Sequence, residues 1–172
     1  MAKLIRNRRI EDDAYTVLRL SEGDTPESVE IPAGPVLAPL TVWQTRHAEL
    51  PEGSGVWLAG DEDPADIADD LAALPVIGVN FPKFADGRGY SIATLLRSRY
   101  GYRGELRAIG DVLRDQFNYL ARCGFDALQP TEGRYSDAQL EATLASFDDF
   151  TEPYQASVAV SNPLFRRAQR AA

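Results

Sequence analysis

The chain has 172 residues, a net charge of −8, one cysteine and one histidine. That length suits one domain able to bury roughly two thirds of its unfolded surface. A lone cysteine excludes an intrachain disulfide, a CxxC redox pair, a cysteine-ligated cluster and a structural zinc site within one chain, and no metal site is expected.

All 26 acids fall between residues 10 and 160, alongside only 11 of the 18 lysines and arginines. So negative a field repels a phosphodiester backbone, and no nucleic acid partner is expected. The other seven cations, in Lys3–Arg9 and Arg166–Arg170, read as solvated tails. No apolar run approaches the ~20 residues that span a bilayer, and the N-terminus lacks a signal-peptide core, so a cytoplasmic protein without a membrane partner is expected.

Residues 1–54 read as an irregular N-terminal strand and loop region, a wrap with one or two edge strands belonging to the same domain. Ala14–Leu20 alternates like a strand, turn-rich sequence follows with four prolines between positions 26 and 39, and Leu40–Trp43 suggests a short element lending aromatic area to the core.

Residues 55–150 show the regular alternation of an α/β core. Val56–Ala59 suggests a strand, followed by Asp63 as a cap, Pro64 at the first helical position and apolar Ile67, Ala68, Leu71 and Leu74 at helical spacing. Val76–Phe81 is a continuous apolar strand, and the next helix turns Ile92, Leu95 and Leu96 inward before Gly101. Leu106–Ile109 gives a third strand, after which Asp111 caps a helix with Leu113, Phe117, Leu120 and Ala121 on one face, ended by Gly124. Asp126–Gln129 is a fourth strand, and Ser136–Gln139 is a capping box opening a fourth helix with Leu140, Leu144 and Phe147. Residues 151–172 form a C-terminal extension.

Four consecutive strand–helix units with short connections imply a parallel sheet, either open or half-barrel-like. In both arrangements ligands sit at the carboxyl ends of the strands. That rule selects the loops Asn80–Ser91, Gly110–Asp111, Gln129–Arg134 and Gly60–Asp63.

The first of these holds Asp86-Gly87-Arg88-Gly89-Tyr90-Ser91. Arg88 offers a planar fork of donors to an oxyanion, Ser91 a hydroxyl, and Gly89 and Tyr90 backbone amides at a helix start, while Gly87 and Gly89 permit unusual backbone angles. The loop carries neither the GK[ST] ending of a phosphate-binding loop nor a GxGxxG pattern, and the alternative reading is a tight turn in which Asp86 and Arg88 pair locally. From Lys83 to Arg107 six cations face two acids, a local positive island able to attract a small anion or an acidic partner. Within it, Arg97 and Arg99 read as solvating the outer face of a helix.

Asp86 and Asp111 are the candidate acid–base groups, and Gln116, one turn beyond Asp111, is a candidate at the rim. His47 lacks a companion nucleophile motif and reads as a surface or packing residue, and Cys123 as a partly buried thiol. The acids between Asp61 and Asp70 read as a solvated helix start.

Three blocks, Phe84–Ser91, Gly104–Gln116 and Arg122–Asp126, resemble an uncharacterised bacterial domain-of-unknown-function family over roughly residues 40–150. Its genes neighbour those for sulfite or nitrite reductase, and its members are labelled probable oxidoreductases of sulfite reduction. The resemblance implies an accessory or oxidoreductase component of assimilatory sulfite reduction, with the reductase or a small oxyanion as partner. The residues themselves identify no cofactor: there is no redox cysteine pair, cluster-binding set, dinucleotide fingerprint or haem motif. Two alternatives are a stand-alone enzyme acting on a small anionic substrate and a structural subunit, with an oligomer compatible with either.

Overall fold

A computed structural model describes residues 3–167. Its strands are β1 (Lys3–Arg6), β2 (Arg9–Asp12), β3 (Thr16–Val17), β4 (Val36–Pro39), β5 (Gly55–Leu58), β6 (Val76–Phe81), β7 (Glu105–Gly110) and β8 (Ala127–Pro130). The α-helices are α1 (Leu40–Arg46), α2 (Arg88–Ser98), α3 (Phe117–Cys123), α4 (Asp137–Thr143) and α5 (Leu164–Arg167). All eight strands form one sheet in the order β2-β1-β8-β7-β6-β5-β4-β3. From β3 to β8 every neighbouring pair is parallel, and the β1–β2 hairpin adds antiparallel beside β8.

Strands that follow one another in both chain and space wind their right-handed connections onto one face. The chain then forces a curl. Laid flat at ~4.8 Å per strand, the two edges would stand about 34 Å apart. Only Asp13, Ala14 and Tyr15 link β2 at one edge to β3 at the other, and that connection reaches about 14 Å at full stretch. The sheet is accordingly a curled half-barrel, with Asp13–Tyr15 strapped between its edges.

Alternation along each strand separates two environments. Ile77, Val79, Phe81, Leu106, Ala108 and Leu128 face outward and form the main core with Ile92, Leu96, Phe117 and Leu120. Each such buried side chain contributes about 1.5–3 kcal/mol relative to exposure. The other face looks into the half-barrel in registered levels. Trp57, Gly78, Arg107 and Ala127 lie side by side, and one level nearer the carboxyl ends come Asn80, Ile109 and Gln129. Gly78 makes room for the tryptophan, since a Cβ there would lie 2.8 Å from Trp57 Cβ.

The α/β class and the expected strands β5 to β8 are present, but four uniform strand–helix units are not. After β5 the chain forms a 3-10 turn at Pro64–Ile67 instead of an α-helix, with the Asp63 carboxylate accepting from Ala65 N at 2.9 Å. Asp66, Asp69 and Asp70 place like charges at helical contact spacing, and aspartate is a poor helix former. Residues 3–54 supply four strands and α1 where one or two edge strands were expected, and β3 keeps only Thr16–Val17 of the expected Ala14–Leu20 strand. Nor is Lys3–Arg9 a solvated tail, because Leu4 and Ile5 are buried to 0% and 1% exposure and Asn7–Arg8 turn the hairpin with positive φ. Leu95 is exposed rather than inward, at 37%. The Ser136 capping box and the left-handed Gly124 stop are both formed.

Candidate functional site

The half-barrel interior is filled by charge. Arg107 is fully buried, and its Nη1 donates to both Asp13 oxygens at 2.9 and 2.8 Å. Its Nε donates to Glu105 at 2.8 Å; Nη2 lies 2.7 Å from the same oxygen without a hydrogen-bonding angle. Arg6 reaches Glu105 from the hairpin at 2.7 Å, and the Tyr15 ring covers the Arg107 guanidinium at 4.9 Å. Burying one arginine against two carboxylates is tolerable only because the donors and acceptors are matched this closely.

Above this plug, at the carboxyl ends of β6, β7 and β8, the half-barrel opens into a cavity of about 870 Å³. The Asp13–Arg19 segment walls one side, Asn80–Pro82 and Ile109–Asp111 the floor, and Gln129–Glu132 the other side. Arg19 enters it with Nη2 3.1 Å from Asn80 Oδ1 and its guanidinium 5.4 Å from the Trp57 ring. Among the described residues no carboxylate pairs with Arg19, and burial pulls its pKa below the usual arginine value. Gln129 is only 8% exposed, and its Oε1 faces Arg107 Nη1 at 3.4 Å. A guanidinium can only donate, so the amide is oriented with its oxygen inward and its two N–H donors toward the cavity.

The Arg88 loop lies elsewhere. Arg88 and Ser91 line a separate, shallower groove of about 360 Å³ whose facing wall is Gly60-Asp61-Glu62-Asp63-Pro64. Arg88 closes on Asp86 with Nε at 3.0 Å and Nη2 at 2.7 Å. The Arg88 side-chain donors, joined by its backbone N–H, hold the Asp86 carboxyl down to about 2. The cation is thus paired, and the nearest acidic loop repels a second anion. Gly87 and Gly89 both have ordinary negative φ among the described glycines, contrary to the expectation of special backbone angles. Gly89 instead permits close packing, since a Cβ there would sit 2.7 Å from Phe81 Cζ.

Asp111 lines the large cavity, and it does not cap α3. Its Oδ2 accepts from Phe84 N at 3.1 Å, Oδ1 lies 3.6 Å from Arg134, and α3 begins only at Phe117, after a 3-10 turn at Arg114–Gln116. Gln116 is a clamp: Oε1 accepts from Leu113 N at 2.9 Å, and Nε2 donates to Phe84 O at 2.9 Å and Tyr90 Oη at 3.1 Å. Tyr90 also packs edge-on against Tyr119 at 4.8 Å, and burial raises its pKa. The expected candidates therefore divide, with Asp111 in the large cavity and Asp86, Arg88 and Ser91 around the acidic groove.

Two of the six cations in the positive island, Arg97 and Arg107, are used internally and Arg88 is paired, while Lys83, Arg99 and Arg103 stay exposed. Arg97 does not solvate a helix face: it donates to the carbonyls of Gly124, Tyr102 and Gly104 at 2.8–2.9 Å and pairs with Asp126. Cys123 is buried, and burial pushes its thiol pKa up. His47 is exposed beside the Trp43 ring at 5.7 Å. No group of three or more His, Cys, Asp or Glu among the described residues is arranged to hold a metal ion, and none of their helices is long and apolar enough to cross a membrane.

Sequence reasoning missed Asp13 and Arg19, met Asn80 and Gln129 only as the first residues of selected loops, and met Arg107 only as a member of the positive island. Three of these carried a signal, because Asn80, Arg107 and Gln129 interrupt otherwise apolar strands on their inward-facing parity. Such positions in a sheet covered on one side mark a polar interior.

A family model described as a bacterial protein of unknown function (DUF934) matches residues 55–165, more than half of the chain. The match begins and ends later than the expected 40–150. No curated protein and no solved structure matches the chain.

Proposed function

The chain belongs to the bacterial family of unknown function DUF934, and we propose that it serves assimilatory sulfite reduction by binding an oxyanion at the strand-end cavity. The single observation that supports this reading is the place of Arg19, an exposed guanidinium at the carboxyl ends of a parallel sheet, 3.1 Å from Asn80 Oδ1 and 5.4 Å from the Trp57 ring, with no carboxylate partner among the described residues. Arg19 supplies the charge, and the amide groups of Asn80 and Gln129 supply neutral donors that orient the ion. The link to sulfite comes from the family resemblance, so the role is that of an accessory protein holding or delivering the anion. Arg88, engaged by Asp86, has a secondary place.

Isothermal titration of sulfite, sulfate and phosphate into wild type, Arg19→Ala and Arg88→Ala tests the proposal. Binding of at least one ion, weakened about tenfold or more by Arg19→Ala and unchanged by Arg88→Ala, is expected. Equal loss in both variants, or no binding by wild type, overturns it.

A protein partner is supported by a different observation, and its identity as the reductase comes from the family resemblance. Phe150, Tyr154, Leu164 and Phe165 are 58–84% exposed on the C-terminal segment next to Arg166, a concentration of apolar surface beyond the scattered residues normal on a monomer. We propose this segment as the docking surface for the reductase. Loss of co-purification with sulfite reductase in Tyr154→Ser/Phe165→Ser, with Arg19→Ala unaffected, is the expected result, and retention in the double variant contradicts it.

A further inference from the structure

We infer that the oxyanion bound at Arg19 is one end of a larger ligand, a phosphate or sulfate ester carried on a hydroxyl-bearing body such as a ribose. This rests on the anion-binding reading of the same cavity and names the class of molecule that fills it.

Size is the first argument. A free oxyanion of four or five heavy atoms displaces on the order of two waters, about 60 Å³, whereas the cavity holds about 870 Å³. A volume of that order is typical of sites for organic ligands of nucleotide or drug size.

The distribution of polar groups is the second. Donors lie at the Arg19–Asn80–Gln129 level, where Gln129 is more than nine-tenths buried and its amide nitrogen has no hydrogen-bond partner among the described residues. Acceptors lie at the rim. Asp111 keeps a side-chain exposure of 35% beside Phe84 N and an exposed Arg134 whose Nη2 lies 3.6 Å from Oδ1, which leaves acceptor capacity on the carboxylate, and Glu132 is exposed. Carboxylates at the mouth repel a free dianion, yet they accept strongly from vicinal hydroxyls, the same pairing by which an acidic side chain holds a ribose in dinucleotide sites.

Apolar groups line the cavity beside these polar ones. Ile109 sits in register between Asn80 and Gln129, with Val17, Pro82 and Pro130 around the opening. Neighbouring strands lie ~4.8 Å apart, so Asn80 and Gln129 are held about 10 Å from each other across Ile109. That width, measured between backbones, leaves room for the ring of an ester beside an oxyanion held by the side-chain donors.

Titrating ribose 5-phosphate, AMP and inorganic phosphate by calorimetry into wild type, Arg19→Ala, Asp111→Asn and Glu132→Gln tests the inference. Asp111→Asn keeps an oxygen for Phe84 N and Glu132 is exposed, so both variants are expected to retain wild-type melting temperatures. At least one ester is expected to bind about tenfold or more tightly than phosphate. Asp111→Asn and Glu132→Gln remove most of that advantage and leave phosphate binding equal or stronger, while Arg19→Ala weakens esters and phosphate alike. Equal affinities for ribose 5-phosphate and AMP point to a sugar ester, and tighter AMP binding to a nucleoside ester. If phosphate binds as tightly as both esters, the larger ligand is wrong and the oxyanion site stands. If nothing binds, both fall.

Discussion

Arg107 Nη1 grips both carboxylate oxygens of Asp13, at 2.9 and 2.8 Å, across 94 residues of sequence. This contact fastens the three-residue strap between the sheet edges to the middle of β7. It also sets the floor of the cavity, because Asp13 and Gln129 both line the cavity and both touch Arg107.

Asp13→Asn leaves Arg107 buried with Glu105 as its remaining acidic partner. A loss of roughly 3–5 kcal/mol in urea unfolding is expected, toward the lower end because Glu105 persists. Asp13→Leu combined with Arg107→Met removes both charges and is expected to recover most of that loss. A single variant within about 0.5 kcal/mol of wild type would contradict a structural role for the pair.

Gly110 ends β7 at the cavity floor with φ of +100°, and a Cβ there would lie 2.4 Å from Phe81 O. Gly110→Ala combines left-handed strain with a backbone clash. A cost of about 1–3 kcal/mol is expected, read as a lower melting temperature, together with weaker anion binding because the Asn80–Ile109 register shifts. Unchanged stability would show that the loop re-forms freely.

The Asp86–Arg88 pair should be visible by NMR and nearly silent in stability. Asp86 titrates at about 2 against an ordinary value of 3.8 because Arg88 donates to its carboxylate. Its folded pKa is depressed, so any contribution to stability is present above about pH 4 and fades as pH falls toward 2. In Arg88→Ala the Asp86 carboxyl carbon is expected to titrate near the ordinary value. An unchanged midpoint would mean that Arg88 is not its partner.

The sequence made the carboxyl-terminal two thirds of the fold legible because its signals there are local. The Ser136 box, the Gly124 stop and the mostly apolar run of β6 each act within one turn or one strand. The N-terminal strands were hidden for the opposite reason. Lys3–Arg6 is a strand because Ile5 and Arg6 pair with Leu128 and Ala127 of β8, more than 120 residues away, and its four-residue length carries little pattern of its own. The candidate site suffered in the same way. The rule that ligands gather at strand carboxyl ends found Asp111 and the Gln129–Arg134 loop, but the cation came from Arg19 on the strap, which reaches the cavity only because the sheet curls. Arg88 looked available in sequence, yet Asp86 two residues earlier holds it by a contact that needs no tertiary structure.

Sulfite titrated into ¹⁵N-labelled protein and followed amide by amide tests the central claim most directly. The expected result is saturable shifts at Arg19, Asn80, Gly110, Gln129 and Thr131, with residues 86–91 unmoved. Shifts centred on Gly87–Ser91, with the strand-end cavity silent, would contradict it.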